Sequence, residues 1–147
     1  MSVHSHTRLL IHLVWSTYNR EKVIKRSLRI KLNKYLHEYA QKHSMKILAS
    51  YVNADHVHIL IDQDPVRSVA EFVKLLKGSS SRWLNLQKDQ AQRFSWGRGY
   101  GAFSVSASNT SKVINYINNQ DVHHHLTSVS CPSPKLPSSL PPAPPTT

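Results

Sequence analysis

Residues 45–64, MKILASYVNADHVHILIDQD, constrain the fold more than any other stretch. Two β-type runs, 45–54 and 55–64, are separated only by a short turn around Asn53-Ala54-Asp55. A connection that short makes the two runs antiparallel neighbours in one sheet. Pro65 then ends the second run. Whatever else the chain does, it builds outward from this hairpin.

The flanking segments extend the pattern. RLLIHLVWST (8–17) reads as a buried strand. In 27–44, Leu28, Leu32, Tyr35, Leu36 and Tyr39 recur at spacings of three and four, which predicts an amphipathic helix with Lys and Arg outward. A long helix is expected over 66–87, with a stripe of Val66, Val69, Phe72, Val73, Leu76, Trp83 and Leu84. Gly78 and the serines after it weaken its middle. A glycine-rich loop then feeds a short strand at 102–106. A last helix is expected over 109–125, capped by Asn109 or Ser111 and striped by Val113, Ile114 and Ile117. The order β-α-β-β-α-β-α fits a ferredoxin-like (RRM-like) α/β sandwich, formally α+β. It has a four-stranded antiparallel sheet, two helices on one face, a further C-terminal helix, and the other face free to bind a ligand.

Residues 1–125 form the expected domain. From Leu126 onward the chain holds seven of its eight prolines, and Lys135 is its only formally charged side chain. That composition cannot bury enough apolar surface to offset its ordering entropy, so 126–147 is expected to be disordered. The lone cysteine, Cys131, fits a reducing compartment, and no apolar run is long enough for a membrane span. A cytoplasmic protein is expected. Its net charge of +11 draws it to polyanions, nucleic acid first.

Within the third strand-like run, alternation puts His56, His58 and Leu60 on one face and Val57, Ile59 and Ile61 on the other. The aliphatic set belongs against the helices, which leaves the histidines on the open face. Two imidazoles at i and i+2 can converge on one ion. The pattern alone is weak: ten histidines in 147 residues give about 0.7 H-x-H pairs from composition alone. Two solvated histidines remain the alternative. Asp55 and Asp62 flank the pair but are expected to point away from it. On the last helix, Tyr116 and Gln120 stack one turn apart. Tyr116 is either a nucleophile or an ordinary edge residue of an amphipathic helix.

Five stretches, IHLVWSTYNRE (11–21), ADHVHILI (54–61), LLKGSSSRWLN (75–85), WGRGYGAFSVS (96–106) and VINYINNQ (113–120), carry a family resemblance. In that order they resemble the IS200/IS605-type single-strand DNA transposases of the HUH superfamily. The resemblance implies His56 and His58 as metal ligands, Tyr116 as nucleophile and Gln120 as third ligand. It implies Mg²⁺ or Mn²⁺, hairpin-bearing single-stranded DNA as substrate, a homodimer, and a bacterial, nucleoid-associated setting. It implies a 5′-phosphotyrosine intermediate, with rejoining that needs no nucleotide cofactor. Lys74, Lys77, Arg82, Arg98 and Lys112 are candidate phosphate contacts, and Trp96, Tyr100 and Phe103 candidate stacking platforms. His12 matches a common position and is first read as structural. The Pro/Ser-rich ending departs from the family pattern. A non-catalytic copy that binds hairpin or single-stranded nucleic acid is the alternative function. A phosphoesterase using water in place of tyrosine is a second.

Overall fold

The computed structural model describes residues 6–90 and 92–119. The expected order is present: β1 (Leu10–Ser16), α1 (Arg26–Lys42), β2 (Lys46–Val52), β3 (His56–Asp62), α2 (Val69–Asn85), β4 (Gly101–Ser104) and α3 (Thr110–Asn118). Short 3₁₀ turns at Tyr18–Arg20 and Ala107–Asn109 complete it. The sheet order is β2-β3-β1-β4 with every pairing antiparallel. This is the ferredoxin-like arrangement. Gln120 and the stretch 126–147 lie outside the described residues.

One face of the sheet carries the main core. Val57, Ile59 and Ile61 of β3 and Leu13 and Trp15 of β1 pack against Leu28, Leu32 and Leu36 of α1 and Phe72, Val73 and Leu76 of α2. Their alternation along each strand and their helical spacing are what the sequence predicts. Helix α2 is N-capped by Ser68, whose hydroxyl accepts from the Glu71 amide.

The Gly78–Ser81 segment does not interrupt α2. Ser80 returns its hydroxyl to the Leu76 carbonyl at 2.6 Å and accepts the Trp96 indole N–H at 2.9 Å. Tertiary packing thus holds a turn that propensity alone disfavours. Trp96 is accordingly a core residue, edge-on to Trp15 and Phe94. Of the candidate stacking platforms, Trp96 is thus the one enclosed in the core.

The second face of the sheet is not left open. Helix α3 crosses it and buries Ile117 against Ala49 and Leu60. A β-bulge between Ile47 and Ala49 prepares this packing. The bulge leaves Leu48 over and turns Ala49 and Tyr51 toward α3, while Ser50 and Val52 face α1.

Candidate functional site

Strand β3 is central, hydrogen-bonded on both sides, so its side chains are held by a rigid element. His56, His58 and Leu60 lie on the α3 side. His58 pairs with Val14 of β1 and Tyr51 of β2 in the sheet register. From above, α3 directs Tyr116 downward, and its ring meets the His58 ring edge-on with centroids 6.1 Å apart. The His56 and His58 rings are 4.9 Å apart and nearly perpendicular. Phenol and imidazoles therefore sit together, on one side of the sheet and within one protomer. The open-face placement expected for the histidines is corrected: His58 is only 1% exposed, because α3 covers it.

Each histidine of the pair is braced through Nδ1. His58 Nδ1 lies 3.1 Å from Nε2 of His12, a β1 residue on the same face. His56 Nδ1 lies 2.6 Å from Asp55 Oδ1. Asp55 therefore does not point away from the pair. It stands in the turn just before the strand, where alternation does not apply. Burial pushes the His12 pKa below its usual value, which keeps the ring neutral and able to accept a proton-bearing Nδ1. With both Nδ1 atoms engaged, Nε2 is the nitrogen through which each ring would meet a ligand.

This donor set fits a divalent cation that accepts imidazole nitrogen. Two rings on one strand face, each held from behind, are how such ligands are usually presented. Among the described residues no group of three or more His, Cys, Asp or Glu could hold a metal. A third protein donor must therefore be of another type or lie elsewhere, and Gln120 falls outside the described residues.

The candidate phosphate contacts are distributed over both layers. Lys74 and Arg82 are exposed on α2, across the sheet from His58. Arg98 is exposed in the loop before β4, and Lys112 is exposed on α3 itself. Lys77 plays a structural part, because its ammonium donates to the Gly97 and Gly99 carbonyls at 2.7 and 3.0 Å. It clamps the loop that carries Arg98. Gly97 permits that loop to dock, since a Cβ there would stand 3.2 Å from the Thr17 carbonyl oxygen.

A half-buried histidine outside the site also shapes stability. Ser50 donates its hydroxyl to Asn33 Oδ1, and His37 Nε2 donates to Ser50 at 2.7 Å. Burial lowers the pKa of His37 as it does that of His12. Unfolded, both rings take up protons as the pH falls below 6.5; folded, they resist until lower pH. Stability is therefore full above 6.5 and is lost as the pH falls toward the folded values. Thermal melting followed by circular dichroism should show this drop. His37→Gln, which has no ring to protonate, should make the acid limb shallower.

The chain that builds this ferredoxin-like sheet matches a family of transposases. The family model "Transposase IS200 like" matches residues 5–120. The chain belongs to this family of transposases. The chain is 31% identical over 123 residues to the transposase of insertion sequence element IS200 from Salmonella typhimurium, covering 79% of this chain and 80% of that protein. It is 28% identical over 118 residues to the ISDra2 transposase of Deinococcus radiodurans, covering 77% and 84% respectively. A Deinococcus radiodurans crystal structure assigned as a transposase superposes with a TM-score of 0.61 at 28% identity, over 82% of this chain and 96% of that one. A REP-associated tyrosine transposase bound to a REP hairpin shares the fold, with a TM-score of 0.61 at 12% identity, over 86% of this chain and 76% of that one.

Sequence reasoning misses two features of the site. It gives His12 a structural role, yet His12 touches His58. It sets Asp55 apart from the pair, yet Asp55 holds His56. The signal available is the local pairing of Asp55 and His56, adjacent in sequence at the entrance to a strand.

Proposed function

We propose that this chain moves an insertion sequence by cutting and rejoining single-stranded DNA, with the Tyr116 hydroxyl as nucleophile. The observation that carries this reading is the edge-on contact of Tyr116 with His58, on the face that also bears His56. The Tyr116 oxygen attacks the scissile phosphorus. A 5′-phosphotyrosine ester forms, the P–O3′ bond breaks, and the departing 3′ oxygen takes up a proton in balance with the one the phenol loses. A 3′-hydroxyl from another strand later reverses the step and frees the tyrosine. Because the ester keeps the bond energy, no nucleotide cofactor is consumed.

His56 and His58 are the proposed ligands for Mg²⁺ or Mn²⁺, and Gln120 is proposed to add an amide oxygen. When bound, the cation supplies positive charge to a non-bridging phosphate oxygen. Asp55 and His12 engage the Nδ1 atoms, so Nε2 of each ring would be the nitrogen offered to a bound cation. Asp55→Asn and His12→Phe should each weaken Mn²⁺ binding by about 10–100-fold, read by titration calorimetry on the folded variants. A hairpin-bearing single strand is the proposed substrate and a homodimer the proposed assembly; the family membership supports both.

The test is capture of protein on labelled single-stranded DNA that carries a hairpin, in the presence of Mn²⁺ and resolved under denaturing conditions. A shifted, protease-sensitive band is expected. Hairpin binding with no band would instead support a binding protein that does not cut.

A further inference from the structure

A cavity of about 310 Å³ opens beside the site, between the start of α1 and strand β2. Its lining includes Arg26, Arg29, Ile30, Tyr51 and Asn118. Two of these tie it to the site already described. Tyr51 sits directly across from His58 in the β2–β3 register. Asn118 lies two residues beyond Tyr116 on α3. The cavity therefore adjoins both the strand pair that carries His58 and the helix that carries Tyr116.

The lining chemistry is that of a nucleotide site. Among the described residues it contains two guanidinium groups and no carboxylate. The Arg29 side chain is already fixed, donating Nε–H to the Ile24 carbonyl at 2.9 Å, so little further ordering is lost when it meets a phosphate. Beside the arginines stands Ile30, which is 74% exposed although it is a large aliphatic residue on a packed helix. An apolar side chain and a phenol next to paired guanidinium groups match a base next to its phosphates. In the amino-acid sequence these arginines merge into the basic outer face of α1. Only the cavity separates them from Lys31 and Lys34.

We propose that this cavity holds a nucleotide flanking the scissile phosphate, with Arg26 and Arg29 on its phosphates and Ile30 and Tyr51 against its base. The inference rests on the reading that single-stranded DNA enters the Tyr116 site. It adds that strand's route out, across β2 toward α1.

The experiment uses the full chain in buffer with chelator, so that no cutting occurs. Fluorescence anisotropy reports binding of labelled oligothymidylate and, separately, of a labelled DNA duplex. Arg26→Gln with Arg29→Gln should weaken oligothymidylate binding by about tenfold and flatten its salt dependence by about 0.7 in log–log slope per arginine. Duplex binding should be unchanged, as should oligothymidylate binding by Lys34→Gln, which removes a charge from the same helix outside the cavity. Arg26→Gln alone preserves the Arg29–Ile24 hydrogen bond and should still give part of the loss, so misfolding cannot mimic the result. Equal binding by wild type and both arginine variants would overturn the inference while leaving the Tyr116 reading intact. Equal weakening on the duplex or by Lys34→Gln would overturn it too, as a sign of general charge. Failure of the wild type to bind oligothymidylate would overturn the inference too, whereas the Tyr116 reading falls only if hairpin-bearing DNA gives no covalent capture.

Discussion

Tyr116→Phe is expected to lose covalent capture of DNA entirely, and strand cleavage with it, by on the order of 10⁴-fold or more. The substitution is well suited to this site. Tyr116 is half-buried and meets His58 through its ring. Phenylalanine keeps that edge-to-face contact and the packing of α3 on Leu60 and Ala49. It removes only the oxygen, so stability should change by about 1 kcal/mol or less. Melting temperature and hairpin binding should therefore survive while the adduct disappears. Cleavage that persists in Tyr116→Phe, without protein-linked DNA, would mean that water is the nucleophile.

Removal of the histidine pair should have the next largest effect. His56→Ala is the cleaner single change, because His56 is half-buried at the strand entrance whereas His58 is enclosed between His12 and Tyr116. It should lower Mn²⁺-dependent cleavage by about 10³-fold and remove most of the calorimetric heat of Mn²⁺ binding. His58→Ala should match that loss and also destabilise the fold, since it leaves a cavity under α3. The two losses should not add, because either change already dismantles the pair. Full cleavage by His56→Ala would exclude the pair as the metal site.

Much of this architecture is legible in the sequence because it rests on periodicity. Val57, Ile59 and Ile61 alternate against His56, His58 and Leu60, and the alternation fixes which of them enter the main core. What periodicity does not carry is the choice of sheet face for α3. Its stripe of Val113, Ile114 and Ile117 would suit any apolar surface. The deciding partners, Ala49 and Leu60, come from two other strands, and Ala49 reaches that face only because of the bulge at Leu48. His12 is hidden for a related reason. Its contact with His58 depends on β1 lying next to β3, a pairing between segments 46 residues apart. Trp96 misleads in the opposite direction. Its glycine-rich surroundings suggest an exposed loop, but Ser80 draws the indole into the core.

For the proposed chemistry to operate, Tyr116 and both histidines must share one side of the sheet around a common cation. Titration of Mn²⁺ into isotope-labelled protein, followed by NMR, tests that geometry without DNA or turnover. Ring signals of His56, His58 and Tyr116 should broaden together at the lowest Mn²⁺ additions, while methyl signals of Val73 and Leu76, on the opposite side of the sheet, stay sharp. Broadening of the histidines with an unaffected Tyr116 ring, or no broadening of any of the three, would contradict it.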